Sequence, residues 1–228
     1  MTTLSTPTTT PTGTRSGSPV GHRTSAGLAS LIAGALLLAV GRVLTTPGGS
    51  TAQRLDQMSG QDLRVTVSTL LTVLGFAALV PGLLSVAALV RGRGALLATI
   101  GSGFVVIGGV GMSVLAAVDL TTLAATRVHD AATMRTLLHQ MDTSPGILVL
   151  TPFAVVGYLV GPFLITLAAR RAGILPRWLP WATLLVLILQ PVAAGSGGPG
   201  VARVVDGAFQ VALVAIFAVL ARTVARRS

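Results

Sequence analysis

Apolar and polar segments alternate along this chain, and each apolar segment is close to the roughly 20 residues that a helix needs to cross a bilayer. The runs are continuous rather than alternating from residue to residue, which favours helices over the strands of a membrane barrel. The predicted fold is therefore all-α, a polytopic bundle of six transmembrane helices. The predicted spans are 27–44, 65–90, 95–118, 146–169, 178–194 and 201–224.

The segments outside the runs are polar. Residues 1–24 are rich in Thr, Ser, Pro and Gly and carry too little apolar surface to order themselves, so they are predicted to form a disordered tail. Residues 225–228 form a short basic end. Between the third and fourth runs, apolar residues recur at a helical period, which predicts an amphipathic helix over about 128–141 on the outer surface.

The first run, 27–44, has a second interpretation. A positive stretch followed by an apolar core is also typical of a cleaved signal peptide. We interpret the run as a retained span, because five more apolar runs follow it and the charge pattern fits a topology that keeps it.

Charge asymmetry predicts the orientation of the bundle. With six spans, both termini lie on the same side as the second and fourth loops, and no acidic residue falls on that side. Arginines are retained in the cytoplasm, so both termini are predicted to be cytoplasmic in a multi-pass protein of the cell membrane. The residues that set this topology are Arg91, Arg93, Arg170, Arg171, Arg177, Arg226 and Arg227, and Arg15, Arg23 and Arg222 share their side.

Composition supports a lipid environment. Only 10% of the residues are charged and 52% are hydrophobic, whereas a soluble domain has about 25% charged residues. The net charge of +10 could suggest nucleic acid, but the arginines stand at the ends of apolar runs and form no binding face. The predicted partner is the lipid bilayer and not nucleic acid. The chain has no Lys, no Glu and no Cys, a bias typical of a high-GC, actinobacterium-like genome.

Polar residues in the outer halves of the spans are the candidate ligand-binding residues, since such residues are costly in lipid and often functional. Three of them are spaced i, i+3 and i+7 and share one face of the last helix, with the deepest roughly 10–14 Å below its start. One hypothesis is an outward-facing pocket that binds a small solute or relays a proton. The other is an intrahelical Arg203–Asp206 pair, with the remaining residues marking the interface. The set is Arg42, Asp119, Gln190, Arg203, Asp206 and Gln210.

No pattern indicates catalysis, a metal or a cofactor. His129, Asp130, His139 and Asp142 are close in sequence, but their spacing matches no metal motif, so a solvated outer helix is favoured. No predicted span contains a histidine beside a serine, and no pair of deep aspartates is present.

The loop ARRAGILPRWLPW, preceded by LLHQMDTSPGILVL, resembles a pair of motifs in small bacterial membrane proteins of unknown function that are common in actinobacteria. The resemblance covers about residues 45–185. It implies a multi-pass helical fold and carries over no catalytic residue.

Together these patterns predict an integral membrane protein that is not an enzyme and has a structural or regulatory role through helix and lipid contacts. The alternative is a small-solute transporter or channel component that uses the outer polar residues. The sequence leaves a homo-oligomer open and identifies no protein partner or cargo.

Overall fold

The computed structural model describes residues 19–44, 62–126, 130–195 and 199–226, and nearly all of this part of the chain is helical. The segments 45–61 and 127–129, which the sequence placed in loops, lie outside the described residues, as do most of the predicted tail and Arg227. The described helices are α1 (Pro19–Leu44), α2 (Asp62–Ala88), α3 (Ala95–Thr126), α4 (Ala131–Asp142), α5 (Pro145–Arg171), α6 (Leu179–Gly195) and α7 (Pro199–Ala225).

Five of these helices, α1, α2, α3, α5 and α7, are long and apolar enough to cross a membrane. Their positions confirm the all-helical prediction and match five of the six predicted spans. The remaining predicted span, 178–194, forms α6, which has 17 residues. At about 1.5 Å per residue this helix is roughly 26 Å long, slightly less than the roughly 30 Å hydrocarbon core of a bilayer.

Two helix ends differ from the expected boundaries by more than three residues. α1 begins at Pro19, inside the segment predicted as a tail, with a proline at the position where a missing N–H costs nothing. α3 continues past residue 118 to Thr126, because apolar residues keep the helical period beyond Asp119 and Leu123 is buried. The loop that follows α3 is therefore shorter than predicted.

The amphipathic helix predicted at 128–141 is present as α4. Its apolar side packs on α3 and α5, and Met134 is almost completely buried. The carboxylate of Asp130 accepts a hydrogen bond of 2.8 Å from the backbone N–H of Thr133 and so caps the helix.

The long helices form a closed ring. Along the ring, α1 packs on α2, α2 on α3, α3 on α5, α5 on α6, α6 on α7, and α7 again on α1. α2 and α5 also touch across the ring, where the rings of Phe76 and Tyr158 meet edge to face at 5.6 Å. Most of the core lies on the inward faces of α1, α2, α5 and α7.

Glycines bring the backbones of α1 and α2 into direct contact. A Cβ built on Gly34 would lie 2.6 Å from the backbone nitrogen of Leu79 and 2.8 Å from the carbonyl oxygen of Gly75. Nearer the start of α1, Leu31 lies against Gly82. Residue numbers rise along one helix as they fall along the other, so the pair is antiparallel.

α3 and α5 form a second antiparallel pair of the same kind. A Cβ on Gly108 would lie 2.3 Å from the backbone nitrogen of Tyr158 and 2.5 Å from the carbonyl carbon of Gly157. Gly161 lies against Val105 in the same seam. The glycines of α3 and α5 therefore serve helix packing, because in lipid a glycine lets two helix backbones approach closely.

The two pairs share one sequence pattern. Gly27, Gly34 and Gly41 of α1 are spaced by seven residues, and the same spacing returns in Gly94, Gly101 and Gly108, at and after the start of α3. A seven-residue repeat keeps one seam facing a partner helix and is typical of left-handed pairs. The first four spans are thus two hairpins built on the same plan.

A serine stabilises α2 where a proline interrupts its hydrogen bonds. Pro81 has no N–H and loosens the carbonyl groups of the preceding turn. The hydroxyl of Ser30 on α1 donates to the carbonyl oxygen of Ala78 in that turn at 2.6 Å. The bond ties α1 to α2 next to the glycine contacts.

Candidate functional site

The candidate site lies at one end of the most buried stripe of α7. This stripe recurs every three or four residues, faces the ring interior, and consists of Gln210, Leu213, Phe217, Leu220 and Val224. Its four apolar members are almost completely buried. The only polar member stands at the end nearest Pro199.

Gln210 is 3% exposed, and its side-chain oxygen Oε1 has no hydrogen-bond partner. It stands eleven residues after Pro199, about 16 Å along the helix, which is close to half of the roughly 30 Å core of a bilayer. A buried amide oxygen without a donor costs on the order of 1–3 kcal/mol. A site that keeps such a group can accept a hydrogen bond from a water or a bound solute.

The buried hydroxyl groups of the spans behave differently. Thr166 donates to the carbonyl oxygen of Pro162 at 2.9 Å, and Thr183 donates to that of Leu179 at 2.9 Å. These side chains are satisfied within their own helices. Among the buried side chains that the structure describes, Gln210 is the one with an oxygen left without a donor.

α1 brings a second polar residue toward the same region. Leu28, Leu31, Ala35 and Leu38 form its buried stripe, and Arg42 is the next position on that face. α7 is antiparallel to α1, because each helix of the ring reverses the direction of the one before it. Arg42, at the carboxyl end of the α1 stripe, is therefore on the same side of the ring as the amino-terminal half of α7, which carries Gln210. Arg42 is partly buried and does not donate to the Gln210 oxygen.

The other four predicted ligand-binding residues stand on described helices, but their side chains lie outside the described part. Asp119 is in the outer part of α3, Gln190 in the second half of α6, and Arg203 and Asp206 in the first turns of α7. By helical spacing, Arg203 and Asp206 are on the same face as Gln210. The structure describes the side chains of Arg42 and Gln210, and the predicted convergence of the six residues stays a prediction.

The sequence candidates for metal binding are only partly described. Asp130 is the cap of α4, and His139 is exposed on the same helix. His129 and the side chain of Asp142 lie outside the described part. Among the described residues, no three histidines or carboxylates come together in a way that could hold a metal ion.

One polar contact at the same end of the ring was not expected from the sequence. The Nε of Arg64 on α2 donates to the carbonyl oxygen of Leu44 at 2.7 Å. A cation at the carboxyl end of a helix also interacts favourably with the helix dipole. Arg64 therefore fixes the end of α1, two residues beyond Arg42.

Comparisons with protein-family models, curated proteins and solved structures gave no match. The resemblance to actinobacterial membrane proteins of unknown function therefore stays a prediction.

Proposed function

We propose that this chain is a non-enzymatic integral membrane protein with six spans and cytoplasmic termini, and that it acts through helix and lipid contacts. The observation that carries the proposal is the backbone-to-backbone contact within both glycine hairpins, at Gly34 with Gly75 and at Gly108 with Gly157. Contacts of this kind make a rigid helical scaffold. The buried hydroxyl groups of Thr166 on α5 and Thr183 on α6 donate to the backbones of their own helices.

The proposal counts α6 as a span in addition to the five long apolar helices. This helix packs between α5 and α7, and tryptophans at its start are exposed, as expected for side chains at a membrane interface. The cytoplasmic orientation is supported by the arginine distribution, since all six Asp residues fall outside the α2–α3 and α5–α6 loops and the carboxyl end.

Orientation is tested with single cysteines, because the chain has none of its own. Ala132→Cys on the exposed side of α4 should react with a membrane-impermeant thiol reagent in intact cells. Ala225→Cys at the end of α7 should react only after the cells are permeabilised. The reverse pattern would contradict the proposed orientation.

The scaffold role is tested by complementing a deletion strain. Asp206→Asn and Gln210→Leu should restore whatever phenotype the deletion causes, since neither changes the glycine seams. Gly34→Leu should fail, because its side chain would overlap the backbone of α2. Failure of the two polar variants at normal expression would favour a polar site over a scaffold.

The unpartnered oxygen of Gln210 favours a second candidate, a small-solute transporter or channel component with a binding position inside the ring. Gln210→Cys should then be labelled from outside in intact cells, with Ala132→Cys as the exposed control. Labelling would mean that water reaches the middle of α7. Protection, with Ala132→Cys labelled, would leave Gln210 in helix packing and favour the scaffold.

A further inference from the structure

At the arginine-rich end of the ring, the turn between α2 and α3 touches the last turns of α5. The α2–α3 turn carries Arg91 and Arg93, alternating with Gly92 and Gly94, whose φ angles are +67° and +114°. A Cβ built on Gly94 would lie 2.7 Å from the carbonyl oxygen of Ala168, in the last turns of α5. Only glycine accommodates both this backbone conformation and this approach.

This contact places the turn of Arg91 and Arg93 beside the end of α5, which carries Arg170 and Arg171, and Arg177 stands in the loop that follows. We call these five arginines the basic patch. Four of them are exposed and Arg170 is partly buried. Arg170 and Arg171 are in the last turn of α5, where the helix dipole favours a cation. The dipole compensates a fraction of the charge at that turn and does nothing for the other three.

The Asp residues that stand in the described part of the chain are distant from the basic patch along their helices. Asp62, Asp119, Asp130, Asp142 and Asp206 are at or toward the opposite helix ends. Five like charges held close together repel one another, so the patch favours the binding of anions.

Neighbouring tryptophans indicate where those anions are. Trp178 and Trp181 are 52% and 55% exposed, directly after Arg177 at the start of α6. The ring of Trp181 packs on Phe163 at 5.9 Å, which holds it on the outer surface of the ring of helices. Exposed tryptophans of this kind sit at the level of lipid headgroups, so the basic patch is at the same level.

We propose that the basic patch binds the phosphates of anionic phospholipids, with the acyl chains lying along α6. Exposed apolar side chains, Leu185 and Ile188, continue from the tryptophans down that helix. Arginine suits this role because its planar guanidinium binds two phosphate oxygens at once. The inference rests on the proposed lipid contacts and names their chemistry.

The test uses the purified full chain in a non-ionic detergent and follows thermal unfolding. Phosphatidylglycerol should raise the midpoint by on the order of 5 °C more than phosphatidylcholine with the same acyl chains. Inorganic phosphate at the same concentration should have little effect, because it lacks the chains. An equal rise with both lipids, or with inorganic phosphate, would overturn the proposal.

Matched arginine variants distinguish lipid binding at the basic patch from a general attraction of anionic lipid to the positive charge of the protein. The double variant Arg93→Gln/Arg171→Gln should lose most of the shift caused by phosphatidylglycerol. The double variant Arg222→Gln/Arg226→Gln removes as many charges from the same end, but from α7, which packs chiefly on α1 and α6, and it should keep the shift. Equal losses in both would show diffuse charge and contradict a built site.

Two further points keep the test decisive. If the Gln variant does not fold, Arg93→Lys/Arg171→Lys keeps the charge, and it should show a smaller shift than the wild type because the ammonium group cannot bind phosphate in a bidentate manner. An undiminished shift in the Lys variant would contradict guanidinium recognition. In detergent no orientation is involved, so a failed lipid test leaves the proposed topology and scaffold role untouched.

Discussion

The contact between Gly108 and α5 offers the sharpest test of the packing, because a single methyl group is enough to disturb it. A Cβ at this position would lie 2.3 Å from one backbone atom of α5 and 2.5 Å from another. Backbone atoms cannot rotate aside as a side chain can. In Gly108→Ala, α3 and α5 must therefore move apart by about 1 Å to restore ordinary contact, which begins at 3.4 Å.

The expected cost follows from two opposing effects. Overpacking of a tight interface destabilises by about 1–3 kcal/mol. Replacing a helical glycine by alanine returns roughly 0.5–1 kcal/mol through backbone entropy. The central values of these two ranges leave a net loss of about 1 kcal/mol, so the unfolding midpoint should fall by about 2–5 °C for a chain of this length.

Gly103 supplies a matched control on the same helix. It is exposed, and a Cβ there would meet nothing within 4 Å. Gly103→Ala should leave the midpoint unchanged or raise it slightly. Both variants can be followed in detergent by far-UV circular dichroism or by the fluorescence of Trp178 and Trp181. Equal midpoints for the two variants would refute the backbone contact between α3 and α5.

Three further predictions concern other contacts of the ring. Val80→Cys/Gly109→Cys should form a disulfide between α2 and α3, because the two Cβ positions are 3.8 Å apart, the usual spacing across such a bond. Ser30→Ala should lower stability by about 1 kcal/mol in thermal unfolding, since it removes the hydrogen bond to Ala78 beside Pro81. Gln210→Leu should raise stability by about 1–3 kcal/mol in the same assay, because it removes a buried oxygen without a donor.

Each of these has its own control. Val80→Cys/Gly103→Cys should not cross-link, and if it does, the helices are too mobile for the first result to be informative about packing. Ser102→Ala removes a hydroxyl that bonds only within its own helix, so it should cost less than Ser30→Ala. A fall in stability for Gln210→Leu would mean that the oxygen has a water or solute partner in solution, which favours the binding site.

The hydrophobic pattern predicted the long helices well, because the thickness of a bilayer sets both the length of an apolar run and the length of the helix that it forms. α1 and α3 are the exceptions, since each helix extends into a polar segment that the lipid argument does not cover. The glycine spacing was visible in the sequence, but the partner of each glycine was not. From the sequence alone, Gly34 could face any neighbouring helix. The structure identifies α2 as its partner, through the antiparallel contact with Gly75.

The sequence proposed the candidate residues, and whether they form a site stays a prediction. Helical spacing placed Gln210 on one face with Asp206, but the rotation of α7 decides whether that face is buried or meets lipid. The basic patch shows the same limit. Arg93 and Arg171 are far apart in sequence. The α2–α3 turn and the end of α5, which carry them, meet at the approach of Gly94 to Ala168.

The closed ring has a consequence for the order in which the protein assembles during synthesis. The hairpins of α1 with α2 and of α3 with α5 join helices that emerge one after the other, so each can form as soon as its second helix enters the membrane. The seam between α1 and α7 joins the first described helix to the last. The part of α1 that packs on α7 must therefore face lipid, a chaperone or another chain until α7 is made. A chain truncated before α7 would leave this seam uncovered.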